Sequence, residues 1–208
     1  EYCNRKIIYG NRASGLPETP DDVRKGMAAH GVSIFEVAQK GRKWEIVKDS
    51  LYNRKITADT KVAIDGPAAG HPLLKTDEDQ TGKLARGTFN NCGNGRTPWG
   101  TYLACEENFH GYFSSPSDPN ANLSADLKRY GVKTKDWGYN WVMNQDRFDV
   151  VKNPNEINRH GYITEIDPSK PQSMPRKQTA MGRFKHENCE VVVSKNGQVV
   201  AYMGDDER

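Results

Sequence analysis

The stretch from Asn90 to Asn108, NNCGNGRTPWGTYLACEEN, constrains this chain more than any other. It sets a cysteine, two adjacent carboxylates, asparagines and a Gly/Pro turn inside one expected hairpin. Gly87-Thr88-Phe89 and Gly100 to Ala104 have strand composition, and Gly93 to Pro98 supplies turn chemistry. Soft and hard ligands on one turn point to a metal site, because thiolate suits a transition metal while carboxylates and amides also suit calcium. A plainer reading fits the same residues: Cys92 and Cys105 as small buried side chains or a cross-hairpin disulfide, with Glu106-Glu107 facing water.

The remaining chain reads as short strands joined by turns. Residues 1–9 have the composition of a strand. Thr19-Pro20-Asp21-Asp22 is a helix start, with a threonine cap, proline at the first helical position and two acids at the positive end of the dipole; this helix is expected to end near His30-Gly31. Val32 to Val37 and Trp44 to Val47 frame the polar turn Lys40-Gly41-Arg42-Lys43 and predict a hairpin. Short strands follow at Arg54 to Thr57 and Val62 to Ile64, before the breaker-rich loop Gly66 to His71. From His110 to Asn158 the periodicity dissolves into a long irregular insertion, with a helical turn near Ser124 to Tyr130 and Trp137 and Trp141 as packing anchors. Strands resume at Tyr162 to Ile166, with a weaker candidate at Lys177 to Met181. Cys189 to Val193 and Gln198 to Met203 flank Asn196-Gly197, a strong hairpin signal. Many short strands with little helix predict an all-β class: a sandwich, a barrel or a propeller. No clean internal repeat marks propeller blades.

Composition sets limits. The 208 residues fit a single domain, 1–208, and only 35% of them are hydrophobic. No apolar run approaches the ~20 residues of a membrane helix. Thirty Lys and Arg against 27 Asp and Glu give a net charge of +3, and the basic residues are scattered, so no nucleic-acid partner is expected. Four dispersed cysteines without a CxxC pair do not make a disulfide framework. The start at Glu1 without a methionine, and the end just after the acidic run Gly204-Asp205-Asp206-Glu207, lead us to expect a fragment of a longer chain.

Besides the central stretch, three patches carry candidate chemistry: Ala28-Ala29-His30-Gly31, Lys185-His186-Glu187-Asn188-Cys189 and Gly204 to Glu207. Strand ends and turns are where a β scaffold presents reactive side chains, although each patch also reads as an ordinary polar turn. The HExxH, GxSxG, Walker and GxGxxG motifs are absent from the sequence. The residues alone leave a β-rich chain with a candidate metal site at Cys92, Glu106, Glu107 and Glu187.

At these residues the chain resembles the PhoX-type alkaline phosphatases of bacteria. The shared blocks are EY at 1–2, AAHGVS at 28–33, YNRKIT at 52–57, GPAAGH at 66–71, the stretch at 90–108, RHGYITEIDP at 159–168, GRFKHENCEV at 182–191 and VAYMGDDER at 200–208. The resemblance implies a β-propeller, incomplete in this chain, and a phosphomonoesterase with an Fe3+/Ca2+ cluster that releases phosphate from small-molecule phosphomonoesters. It also implies export to the periplasm or outside the cell. The full-length protein is expected to be a monomer. Cys92 matches the family's iron-bound cysteine, and Glu107 and Glu187 match metal-holding carboxylates, with Cys92 and Glu187 assigned to catalysis. Glu106, Asp205 and Asp206 fall in family blocks and join the expected metal set. The alternatives are a non-catalytic propeller stapled by calcium, which has no use for a thiolate, and a phosphodiesterase on the same metals. Because family members are longer, the chain alone is expected to be weakly active or inactive.

Overall fold

The structure, a computed structural model, describes residues 5–10 and 14–207. Cys3 and the first residues of the expected N-terminal strand lie outside them. Its elements in chain order are α1 (Arg5–Tyr9), α2 (Pro20–Ala29), β1 (Val32–Ile34), β2 (Val37–Lys40), β3 (Lys43–Ile46), β4 (Arg54–Ile56), β5 (Lys61–Asp65), β6 (Leu84–Arg86), β7 (Asn91–Arg96) and β8 (Tyr102–Glu106). After these come α3 (Ala125–Arg129), β9 (Ile163–Ile166), β10 (Arg176–Gln178), β11 (His186–Val193) and β12 (Val199–Asp205). The fold is mostly β with few helices, and no helix among the described residues is long and apolar enough to cross a membrane.

Local chemistry explains the helices. Thr19 accepts a hydrogen bond from the Asp22 amide while the Asp22 carboxylate accepts from the Thr19 amide, a capping box that starts α2 with Pro20 at its first turn. The expected strand at 1–9 is instead helical where it is described, as α1. Tertiary contact overrides the β preference of Ile-Ile-Tyr here, because Tyr9 lies against Gly26 of α2, where a side chain would leave it no room. The expected hairpin at 32–47 divides. β1 pairs with β4, while β2 pairs with β3 across the Lys40–Lys43 turn, with Gly41 at φ +63°.

The main sheet has six strands in the order β6-β5-β10-β9-β8-β7, all antiparallel except β5 with β10. β11 and β12 form a separate hairpin that packs its first strand across β7 and β8. Beneath this crossing lie Leu103, Cys105, Ile163, Cys189 and Val191, all buried. None of the sheets among the described residues closes on itself. The crossing also corrects the reading of Gly93 and Gly95 as turn residues: both sit within β7, and the turn is Thr97 to Gly100. A Cβ on Gly95 would lie 1.6 Å from the Cys189 carbonyl oxygen, and one on Gly93 2.4 Å from that of Glu187. Only glycine admits this approach of one backbone to another.

The irregular 107–160 region encloses the largest apolar cluster. Trp141, fully buried, meets Phe89, Tyr112 and Phe148 at edge-on or tilted ring angles. His30 is a core histidine, bonded to the Gly26 carbonyl at 2.7 Å and to the Tyr112 hydroxyl at 2.9 Å.

Between that cluster and the sheet lies a buried ionic network. Glu106 and Lys177, both 0% exposed, meet at 2.8 Å. The Glu106 carboxylate also accepts from the Gly161 and Tyr162 amides at 2.9 and 3.2 Å. Lys177 donates to the Arg159 carbonyl and to His160 Nδ1, each at 2.9 Å. Glu156 pairs with Arg147 and Arg159 and lies 3.4 Å from His160 Nε2. Burial alone would raise the Glu106 pKa, yet the Lys177 charge beside it brings it down to about 2, and Glu156 is likewise held well below the carboxylate range.

Two predictions follow from this packing. Gly95→Ala should lower stability by about 3 kcal/mol, the upper end of overpacking costs, whereas Gly41→Ala, with open space around it, should cost about 1 kcal/mol of left-handed strain; chemical denaturation separates the two. Because Glu106 and Glu156 titrate lower folded than unfolded, their stabilisation is complete above their ordinary value of 4.5 and is lost as pH falls below it. Circular dichroism through an acid titration should therefore show unfolding that steepens below that value, and a fold indifferent to pH there would contradict the ionised network.

Candidate metal centre

Two bulges and one strand end build the site. Between Asn91 and Asn94, β7 spends three steps against the two that β8 spends between Glu106 and Ala104, so one extra residue bulges at Cys92-Gly93. β11 does the same between His186 and Cys189, opposite Asp205 to Met203 on β12, and bulges at Glu187-Asn188. Bulges re-aim side chains out of the pleat. The close approach at Gly93 lays one bulge on the other, and β8 delivers Glu107 just past its last residue. Asn90 clamps that end: at φ +51° it accepts from the Glu107 amide with its carbonyl and from the Asn108 amide with its side chain, both at 3.0 Å. Asparagine tolerates this left-handed conformation better than most residues.

One ligand atom each of Cys92, Glu107 and Glu187 lies within 4.8 Å of the others. Cations sit about 2.0–2.5 Å from such ligands, so a single ion can reach all three. Cys92 is half-buried, Glu107 is 9% exposed and Glu187 is open to solvent. Asp206 completes the group beside Glu107, where its carboxyl helps raise the Glu107 pKa. Burial first, then Asp206 and the Glu187 charge, raise the Glu107 pKa above 4.5, against an opposing hydrogen bond from the Cys92 thiol. Carboxylates converging without a basic partner are the electrostatic mark of a cation site.

Other expected residues are placed elsewhere. Glu106 faces the opposite way from Glu107, as successive residues at a strand end do, and its oxygens are engaged by Lys177 and two amides. Asp205 lines a separate cleft of about 240 Å³ with Arg129, Lys185 and Glu207. Cys105, buried beneath the site, has its thiol pushed up to about 12 by burial and by the neighbouring Cys189 and Cys92 sulfurs. It forms no disulfide with Cys92, since both are free. Sequence reasoning missed Asn90 as the clamp, and only the alternation of strand residues could have separated Glu106 from Glu107 and Asp205 from Asp206.

The donor set suits a cation of the expected kind. A thiolate beside carboxylates fits a transition metal such as ferric iron, and the surplus of acidic oxygen leaves room for a harder ion such as calcium. Cys92, Glu107 and Glu187 are the residues that would hold them, with Asp206 alongside.

Comparison with known proteins places the chain in a family. The family model for alkaline phosphatase PhoX matches residues 1–208. Among solved structures, the chain is similar to Pseudomonas fluorescens PhoX in complex with vanadate, a transition state analogue, at 50% identity and a TM-score of 0.94, over 100% of this chain and 35% of that one. It thus spans about a third of that relative's length. No curated protein matches the chain. A full-length family match and a half-identical structure of the same family agree: the chain belongs to the PhoX alkaline phosphatase family.

Proposed function

We propose that the protein contributes the thiolate-bearing part of a metal-dependent phosphomonoesterase that releases phosphate from small organic phosphate esters, with an Fe3+/Ca2+ cluster as its cofactor. The observation that carries this reading is the convergence of Cys92, Glu107 and Glu187 on one point, with Asp206 pressed against Glu107. The likeness to a PhoX bound to vanadate supports a phosphoryl-transfer site in the same family.

The residues divide the work. Cys92 gives up its proton to become a soft, charged ligand on the floor of the site. Glu107, next to it, offers its carboxylate to the cation, with Asp206 alongside as a second acidic group. Glu187, open to solvent, holds the side from which a substrate approaches. Ferric and calcium ions at such a site supply Lewis-acid stabilisation of the phosphoryl oxygens and an activated oxygen nucleophile. A purely calcium-binding scaffold would have no use for the thiolate, which favours the enzymatic reading.

We also read the open sheets as blades of a propeller completed by further chain. Trp44 is 66% exposed on the β2–β3 hairpin and Tyr202 63% exposed on β12, apolar surface of the kind a neighbouring blade covers. Periplasmic or extracellular location, and a monomeric full-length protein, belong to the same proposal.

Elemental analysis of the full-length protein, with a phosphomonoester assay before and after chelation, tests the function: iron with calcium and chelator-sensitive turnover are expected, and a colourless, calcium-only, inactive protein would leave the scaffold reading. Cys92→Ser should remove the thiolate-to-iron absorption and cut turnover by more than the ~10–100-fold of outer-shell changes; a coloured, fully active variant would take Cys92 out of the site. Protons compete with cations for Glu107, whose pKa is raised, so metal affinity should fall as the solution is taken from about pH 8 to about pH 5, and a competition titration that finds constant affinity would contradict carboxylate ligation.

A further inference from the structure

Glu106 has the surroundings of a residue that supports a metal ligand from behind. Its two oxygens are filled by Lys177 at 2.8 and 3.1 Å and by the Gly161 and Tyr162 amides. Its Oε1 accepts from Lys177 and its Oε2 from Lys177 and both amides, so the carboxylate is fully buried and turned inward onto these donors. Its backbone, however, is joined directly to Glu107, and in β7–β8 register it stands opposite Asn91, the neighbour of Cys92. Fixing Glu106 fixes the strand end that carries one carboxylate and the bulge that carries the thiol.

The same anchor reaches the third ligand. Lys177 holds the Arg159 carbonyl and Glu106 holds the Gly161 amide. From the other side, Arg183 donates to the His160 carbonyl at 2.8 Å and to the Ile157 carbonyl at 2.9 Å, and the Phe184 amide donates to the Gly161 carbonyl at 3.2 Å. The segment 157–162 is thus gripped by the buried pair on one side and, on the other, by the residues that lead into β11 and Glu187. Gly161, at φ +90° and packed on the Phe109 ring, has no freedom to relax toward a side-chain-bearing geometry.

We propose that Glu106 is a positioning residue of the cation site: paired with Lys177, it sets the separation of Glu107 from Glu187 and Cys92, and takes no part as a ligand. The inference rests on the metal-centre reading above. A purely structural pair would behave differently. Replacing a buried ion pair by apolar or neutral groups of similar volume is often neutral or stabilising to the fold, so stability and ligand placement can be separated.

The test compares the wild-type protein with Glu106→Gln/Lys177→Met and with Glu106→Asp, each stripped of metal, titrated with ferric iron and followed by thiolate-to-iron absorption, with thermal melting measured in parallel. Wild-type protein that develops the absorption establishes the site itself; wild-type protein that binds no iron removes the site and this role with it. The double variant is expected to melt within a few degrees of wild type yet bind iron about 10–100-fold more weakly, with its absorption band displaced, the loss typical of outer-shell changes. Glu106→Asp keeps the charge pair and draws the carboxylate back by one methylene, so it serves if the double variant does not fold, and it should weaken binding about tenfold. Either variant, folded and binding iron with wild-type affinity and an unmoved band, would overturn the proposal.

Discussion

The fold turns on a charge pair that water never reaches. Lys177 brings all its hydrogen-bond capacity to Glu106, to a carbonyl and to a histidine nitrogen, and Glu106 answers with both oxygens. Breaking such a pair by removing one partner typically costs about 3–5 kcal/mol, because it strands the other charge. The pair joins β8 to β10, two strands that are not neighbours in the sheet, and pins the segment entering β9 between them. The strand ends around it are consequently fixed in relation to one another.

Glu106 and Glu107 show what that fixation makes possible. They are consecutive, chemically identical and placed on opposite faces, and their environments push their proton affinities in opposite directions. One meets a lysine and is lowered; the other is raised by burial, an aspartate and a glutamate, against the pull of a thiol. A rigid strand end lets the protein spend one carboxylate on architecture and keep the next for a cation. The contrast is the physical basis for assigning them different tasks, and sequence composition alone treats them as equivalent.

Much of the local structure was legible. The capping box of α2 and the Asn-Gly turn of the β11–β12 hairpin are written in neighbouring residues, and both formed where their chemistry put them. What long-range contact decides was not legible. Gly93 and Gly95 look like a turn until β11 lies across them. The 107–160 region shows no periodicity because its aromatic side chains pack from irregular backbone and short 3-10 turns, where neither a helical nor a strand repeat applies. For the site, the family resemblance singled out Cys92, Glu107 and Glu187, which the structure brings together, while the order of strand faces separates them from Glu106 and Asp205.

The crossing of β11 over β7 has one more consequence. Cys92 belongs to the six-stranded sheet and Glu187 to the two-stranded hairpin, and along β7 and β11 no ladder of backbone hydrogen bonds ties the two sheets together. An ion held by both residues would act as a rivet between two strands that otherwise meet here by packing. Part of its binding energy would then appear as adhesion of the hairpin, and loosening of the hairpin would be felt at the ion as a lost ligand. Cofactor loading and the mechanical integrity of this corner of the protein become one thermodynamic quantity.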